Sequence, residues 1–590
     1  MRLMKNVFLL FIVFTFFSCK DEKPKYESVH SIFQMDIATL IHDVDELQRL
    51  VNSNSTNAKL QGQFLKAHQS YKRVETLTEY YFPSVAKALN GPALPEFEQN
   101  DVKTLPPEGF QVIEELVFPD YDLNSKADLQ QELGILSANL IRLKKIALTN
   151  QLTDAHVFDA MRLEVFRILT LGITGFDSPI AKESLSEAIV SLETVARYYT
   201  VYANENEAPI FNNTLKLMAT SKAYLKRNPN FDAFDRAHFI TNYLNPLSKQ
   251  LFKTQQFLKI PFFEEDRPLK VSAQTLFDKE AFDAEAFSAF PDYKTTASKI
   301  QLGQNLFNDP VLSGDHSRSC ASCHYPDKAF TDGLVKANTL DGKSLVKRNT
   351  PTLLNIAFQR AFFYDSKVSY LEDQAVAVIN NENEMHGSLE KAAIALKKEA
   401  KYVKLFKTAF PKTPINEFTI KNALASYIRS LSNYNARFDD YMRGKASFTT
   451  DEIAGFNLFS GKAKCATCHF IPLTNGTVPP IFDKSDSEVL GVPNARGVLD
   501  EDLGKFEFTK AEMHRNSFKT PTLRNIALTG PYMHNGVYKS LEEVLDFYNK
   551  AGGSGLGFNL DNQTLPADPL NLSLKEKQQI IQFMKTLTDY

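Results

Sequence analysis

Two stretches of this chain share the spacing Cys-x-x-Cys-His, at Cys320–His324 and Cys465–His469, and they use four of its five cysteines. Two thiols separated by two residues reach one flat macrocycle from a single turn. The imidazole beside the second thiol then falls beneath a metal at the centre of that macrocycle. This is the attachment chemistry of a c-type haem, two thioether bonds and an axial histidine. Cys-x-x-Cys alone has other uses. A thioredoxin-like dithiol wants one copy near a βαβ unit, and a zinc ribbon takes four thiols without needing histidine. Neither accounts for a histidine after both pairs. The expected cofactors are therefore two covalently bound haems c, held by Cys320, Cys323 and His324 and by Cys465, Cys468 and His469.

The fifth cysteine bears on location. The chain starts Met1-Arg2-Leu3-Met4-Lys5, continues with an apolar run from Val7 to Phe17, and reaches Ser18-Cys19. A basic start and a short apolar core make a secretory signal, and the run is too short to span a bilayer as a stable helix. A small residue followed by Cys resembles a bacterial lipoprotein signal. Residues 1–18 would be removed and Cys19 acylated, which places the protein outside the cytoplasm on a lipid anchor, facing the periplasm or cell surface. An ordinary signal peptide with an incidental Cys is the alternative. Lys20-Asp21-Glu22 resembles the surface-export tag of some Bacteroidetes lipoproteins. No cysteine is left for a structural disulfide, so packed cores and the haems must provide stability.

The elements that position these motifs divide into a helical front and a motif-bearing back. At 590 residues the chain suffices for about three or four domains. Its 43% hydrophobic and 23% charged residues suit a globular protein, and a net charge of −3 gives no argument for nucleic acid or an anionic membrane surface as a partner, so no nucleic acid is expected. Phe33, Ile37, Leu40, Ile41, Val44, Leu47 and Val51 recur at helical steps. Similar periods cover Leu185–Tyr199 and Phe211–Leu225, the latter stopping before Asn228-Pro229. An up-and-down bundle is expected over 19–263, with a linker at Lys259–Leu269. Two further segments follow, 264–445 with the first motif and 446–590 with the second. Apart from the motifs themselves, no internal repeat stands out. Ser573-Leu574-Lys575-Glu576 is a capping box that starts the last helix.

Within the front, Phe64–Phe82 followed by Gly109-Phe110-Gln111-Val112-Ile113-Glu114 resembles the imelysin-like helical domains linked to iron uptake, whose signature is G-x-H-x-x-E. Gln111 replaces the histidine and is a poorer transition-metal ligand, so only Glu114 of that pair remains. A docking or spacer bundle is the plainer reading.

From about Lys299 onward the sequence resembles the bacterial dihaem cytochrome c peroxidases and the methylamine-utilisation dihaem enzymes. The landmarks run in order: Leu306-Phe307-Asn308-Asp309-Pro310, Leu312-Ser313-Gly314-Asp315, Phe330-Thr331-Asp332-Gly333, Arg348-Asn349-Thr350-Pro351-Thr352, Phe363-Tyr364-Asp365, Asn383-Glu384-Met385, Pro521-Thr522-Leu523-Arg524-Asn525 and Pro531-Tyr532-Met533-His534-Asn535-Gly536. The resemblance implies an all-α fold, an N-terminal helical bundle followed by two cytochrome c-type domains whose haems face a common interface. His324 and His469 become the proximal ligands. The first haem is then the peroxidatic one, and Glu384 its distal acid–base residue; a surface carboxylate in an Asn/Glu-rich loop is the alternative, and His386 lies two residues on. Many relatives carry a blocking histidine in the loop that here spans Leu334–Arg348, and this loop has none. That implies an open first haem, unless His316 or His386 binds from another direction. Tyr548 matches the distal position of the second haem, where peroxidases have Met and the methylamine-utilisation enzymes have Tyr. Phenolate favours the more oxidised iron; the alternative makes Tyr548 a core aromatic and Met533 the ligand. Tyr364 occupies the place of a charge-relaying Trp, a residue type this chain lacks. Asn349, with backbone oxygens of Thr529 and Pro531, matches an inter-domain calcium site, and an all-oxygen set suits Ca²⁺.

The expected function is an exported cytochrome-c peroxidase that reduces hydrogen peroxide to water with electrons from a small cytochrome or another periplasmic donor. Three rivals remain. One is a maturase that oxidises side chains of a partner protein. Another is a dihaem electron carrier without catalysis. A third makes the front bundle an iron- or partner-binding module with the cytochrome as its redox arm.

Overall fold

Periodicity dictates the front half. In the computed structural model, Val29, Phe33, Ile37, Leu40, Val44, Leu47 and Val51 are buried along one face of a 28-residue helix, Lys25–Asn52. The structure describes residues 24–98, 103–203 and 208–589, so the leader and Cys19 lie outside the described residues. The first helix packs on Asn57–Tyr81 and Lys126–Thr149, while Ser184–Ala203 packs on Pro209–Arg227 and Asn57–Tyr81. The helices expected over 185–199 and 211–225 are present, each a few residues longer. A buried ion network holds the bundle's middle. Lys72 Nζ lies 2.7 Å from Glu75 and 2.6 Å from Asp177, and Arg167 binds the same two carboxylates at 3.0 and 2.6 Å. Each charge has its partner, which is the condition for tolerating ions in a core.

The stretch after the bundle is irregular but does not hang free. Arg267 makes two 2.8 Å hydrogen bonds to the Asp159 carboxylate, and Arg162 donates to the carbonyls of Val271 and Ala273. Leu269, Leu276, Phe277 and Phe282 are then buried in the bundle's own core.

The back half is also mostly α. Among the described residues, strands form two short antiparallel ribbons, Glu96–Glu98 with Lys103–Leu105 and Ser487–Val489 with Ser517–Lys519. Each haem-motif segment is framed by a crossed helix pair. Ala297–Asn308 crosses Glu417–Ser430 at Gly303, where an added Cβ would lie 2.0 Å from the Ala423 carbonyl oxygen. Thr450–Phe459 crosses Leu574–Lys585 at Gly455, where the Gln579 carbonyl oxygen would be 1.9 Å away. Only glycine allows backbones that close. The Ser573–Glu576 capping box is formed, with both hydrogen bonds in place.

This correspondence corrects the expectation that nothing repeats beyond the motifs. Thr350-Pro351-Thr352-Leu353 and Thr520-Pro521-Thr522-Leu523 are identical, and each leads to an Asn-Ile-Ala turn whose asparagine is left-handed (Asn355 φ 60°, Asn525 φ 63°). The repeat escapes a linear reading because the sequences between these anchors have diverged.

Two apolar cores result, and they do not follow chain order. One is confined to Leu302–Ile428 and surrounds the first motif. The other runs continuously from the front bundle into Tyr434–Leu587 around the second motif. Polar ties reinforce that second union. Asn457 accepts from the Ala237 N–H at 3.0 Å and donates to Asp235 at 3.1 Å, Asn245 donates to the Met442 carbonyl at 3.0 Å, and Tyr434 donates to the Leu276 carbonyl at 2.7 Å.

Candidate active site

Each Cys-x-x-Cys-His motif begins as a single 3-10 turn, Cys320–Ser322 and Cys465–Thr467, closed by the histidine N–H donating to the first cysteine's carbonyl at 3.1 and 2.9 Å. That turn brings both thiols and the imidazole to one side. All four cysteines are free and half-buried. Burial pushes the thiols of Cys320 and Cys465 up to about 12. Each imidazole is oriented by a backbone carbonyl, His324 Nδ1 on Phe330 O at 2.8 Å and His469 Nδ1 on Pro521 O at 3.1 Å. Nδ1 thus carries the proton and Nε2 is left free to ligate a metal. Burial lowers both histidines, His469 to about 4, so both present the neutral imidazole that metal ligation requires. No three Cys, His, Asp or Glu side chains are grouped to hold a metal ion among the described residues. A zinc site shared by the four thiols is therefore not formed, whereas two separate thiol–thiol–imidazole sets fit two haems c.

Around the first motif, Glu384 sits in the turn after the Leu371–Asn380 helix. Asn381 holds it by donating from Nδ2 to Oε1 at 2.6 Å, which leaves Oε2 unengaged by that bond. Burial raises the Glu384 carboxyl against the pull of Lys367, Asn381 and Arg318. Burial raises the Cys323 thiol, opposed by Arg318 and reinforced by Asp332 and Glu384. The Leu334–Arg348 loop is tied to the same turn by Leu340 N–H donating to Asn383 O at 2.8 Å, and the segment before the first motif by Gly314 N–H donating to Met385 O at 2.9 Å. His316 and His386 are both exposed and left-handed, φ 58° and 44°.

Around the second motif, Tyr548 lies on the Leu541–Asn549 helix. Burial raises its phenol strongly, and the neighbouring Cys468, Cys465 and Glu488 add to the shift. Met533 sits in a left-handed turn (φ 71°) whose carbonyl accepts from Gly536 N–H at 3.2 Å.

The seam between the two motif segments follows the internal repeat. Asn349 N–H donates to His534 O at 2.8 Å, and its counterpart Lys519 N–H donates to Tyr364 O at 2.6 Å. Arg348 bridges Asp365 at 2.6 Å and Asp502 at 2.7 Å. His534 stacks on Phe518, with ring centroids 3.7 Å apart. Tyr364 is held by its hydroxyl donating to Asn349 Oδ1 at 3.3 Å, a neutral amide rather than a base, and burial raises the phenol. The Asn349 amide nitrogen donates to Leu334 O at 2.9 Å and Val335 O at 3.3 Å. Thr529 Oγ1 donates back to Ile526 O at 3.5 Å, one residue pair before Pro531.

In the front bundle, Gln111 and Glu114 have structural partners. Gln111 donates to Asn90 O at 3.0 Å, and Glu114 Oε1 accepts from Ser178 at 2.9 Å and Ala181 N–H at 2.8 Å.

Sequence reasoning passed over Lys519, Phe518, Asp502 and Glu488. The signal for Lys519 was present, since it precedes Thr520-Pro521-Thr522-Leu523 as Asn349 precedes Thr350-Pro351-Thr352-Leu353. The others become neighbours only through the fold.

A family model described as di-haem cytochrome c peroxidase matches residues 297–447. The cytochrome-c peroxidase IdrP2 of Denitromonas iodatirespirans is 32% identical over 321 residues, which cover 51% of this chain and 84% of that protein. The methylamine utilization protein MauG of Methylorubrum extorquens is 36% identical over 295 residues, covering 50% of this chain and 78% of that protein. A solved MauG-like protein associated with microbial copper homeostasis is 29% identical, with a TM-score of 0.45, and covers 50% of this chain and 91% of that one.

Proposed function

This chain belongs to the dihaem cytochrome c peroxidase family, and from that premise we propose that it is a peroxidase that reduces hydrogen peroxide to water. The electrons come from a small cytochrome or another periplasmic redox protein. The observation that carries this reading is Glu384, half-buried and held by Asn381 in the turn to which the histidine-free Leu334–Arg348 loop is tied. Cys320, Cys323 and His324 would hold a haem c, which would supply the redox chemistry for peroxide reduction.

The chain's own residues do the rest. His324 is kept neutral and oriented by its bond to Phe330 O. Asn381 fixes Glu384 through Oε1, so Oε2 takes a proton from one peroxide oxygen and returns it to the other. The raised carboxyl suits that exchange, because a group of intermediate basicity both accepts and releases a proton. His469 and Tyr548 would hold the second haem, and a phenolate there would favour the more oxidised iron. Asn349 with the Thr529 and Pro531 carbonyls would hold calcium, and Cys19 would carry the lipid anchor. The division at 19–263, 264–445 and 446–590 belongs to the same proposal. In it the last two segments are cytochrome c-type domains and the first is their structural partner.

A second reading is favoured by Tyr548 together with the histidine-free loop. In it the protein directs oxidising power from peroxide onto a partner protein, as a maturase. Low-temperature EPR of the ferric protein, with and without one equivalent of peroxide, tests both readings. A high-spin signal that peroxide abolishes is the expected result. Two low-spin signals indifferent to peroxide would remove the open-site reading. Steady oxidation of a reduced small cytochrome then selects the peroxidase over the maturase.

A further inference from the structure

Among the described residues, every buried cation other than Lys519 has either a carboxylate or at least two backbone carbonyls as partners, Arg162 binding those of Val271 and Ala273. Arg429 lies 2.8 Å from Glu372, Arg524 2.7 Å from Asp439, and Lys72 2.6 Å from Asp177. Arg236 has no carboxylate in hydrogen-bond reach, but its planar fork donates to the Ile173, Phe234 and Phe231 carbonyls and stacks on Phe231. Lys299 donates to the carbonyls of Asp292 and Lys294.

Lys519 departs from this pattern. It is 9% exposed, and its ammonium donates to Gln359 Oε1, a neutral amide. Burial lowers it to about 8 with no acidic neighbour to oppose the shift. An ammonium has three N–H donors and a full charge, and leaving such a group buried without an anion is costly. Evolutionary indifference is a poor explanation for a site where glutamine or asparagine would sit at no such cost, as Asn349 does at the equivalent place in the first repeat.

Its location indicates which anion is missing. Lys519 ends the Ser517–Lys519 strand at the seam, with its N–H on Tyr364 O at 2.6 Å. Two residues on, Pro521 O takes the Nδ1–H of His469, and Gln359, the partner of the ammonium, follows Phe358, whose carbonyl accepts from Asn475 and Thr477 just after the second motif. The ammonium therefore belongs to the second motif's site. The haem attached there brings two propionate carboxylates, on the edge away from its thioether bonds.

We propose that Lys519 binds a propionate of the haem held by Cys465, Cys468 and His469, pairing that carboxylate at the seam between the two repeats. The pairing neutralises an anion beside the iron and so stabilises the reduced form. This inference rests on haem attachment at the second motif, and its test separates the two claims.

The holoprotein is prepared as wild type, Lys519→Gln and Lys519→Arg, and haem is counted first by the pyridine haemochrome. Fewer than two haems in the wild type overturns the attachment and this inference with it. With two haems present, Lys519→Gln lowers the midpoint potential of the second haem in spectroelectrochemical titration and shifts its propionate-bending band in resonance Raman. Lys519→Arg keeps the potential but moves the band, because a two-pronged donor replaces a point donor. An unmoved band in Lys519→Arg overturns the assignment even if Lys519→Gln fails to fold. An unchanged potential in a dihaem Lys519→Gln protein overturns it independently.

Discussion

Replacing Glu384 by Gln isolates proton transfer from everything else that residue does. The amide has the same shape, and its oxygen still accepts from Asn381 Nδ2, the 2.6 Å bond that fixes the side chain. Haem attachment at Cys320–His324 is untouched. What disappears is a carboxylate able to take a proton and give it back. General acid–base catalysis of this kind is worth about a hundred- to ten-thousand-fold, which is about 2.7–5.4 kcal/mol of barrier at 1.36 kcal/mol per decade. The second-order rate of the ferric protein with peroxide, followed by stopped-flow absorbance, should fall by that factor at unchanged haem content. The pH profile adds an internal check. Burial raises the Glu384 carboxyl, so the base is absent below that raised value and forms as pH rises through it. The wild-type rate therefore climbs with pH along a limb lying above the ordinary glutamate range, and Glu384→Gln lacks the limb. A variant within tenfold of wild type, or one that keeps the limb, would refute the role of Glu384.

Four further outcomes are expected. Gly455→Ala forces a Cβ against the Gln579 carbonyl, 1.9 Å away, so the crossed helices must part by about 1 Å; overpacking of this kind costs about 1–3 kcal/mol or more, and an unchanged thermal midpoint would contradict the close crossing. Asp439→Asn leaves the Arg524 guanidinium, 1% exposed, without its 2.7 Å partner and with only Asp589, at 3.3 Å, to offset its charge. That should cost up to about 3–5 kcal/mol in urea unfolding, the figure for a fully uncompensated charge; a loss below about 1 kcal/mol argues against a buried pair. Burial alone would raise Asp502, yet Arg348 holds it at about 2. Its contribution to stability is thus complete above the unfolded value of about 3.9 and drains away as pH falls toward 2, so Asp502→Asn should flatten the acid limb of the unfolding midpoint; an identical slope in the variant would exclude the pair as its source. Tyr548→Phe should convert the second haem's low-spin EPR signal to high-spin, and an unaltered signal assigns that ligand elsewhere.

Local spacing made much of this legible. A haem attachment site is a chemical constraint on five consecutive residues, so Cys320–His324 and Cys465–His469 could be read without any fold. Helical period marked the face of Lys25–Asn52 for the same reason, since one helix needs only its own residues to become amphipathic. The Ser573–Glu576 capping box is likewise self-contained. The loop Leu334–Arg348 showed in the sequence that it holds no histidine.

What the chain could not disclose depends on residues distant in sequence meeting in space. Gly303 and Gly455 look like ordinary helix glycines until Ala423 and Gln579 are placed against them. The front bundle reads as a separate module, yet one continuous core joins its residues to Phe456, Phe459 and Phe583 of the second motif's segment. Lys519 is one lysine among many in composition. Only the tertiary structure decides that it is buried at the seam with a neutral partner, because pairing of charge is a property of three-dimensional neighbours and leaves no mark on spacing along the chain.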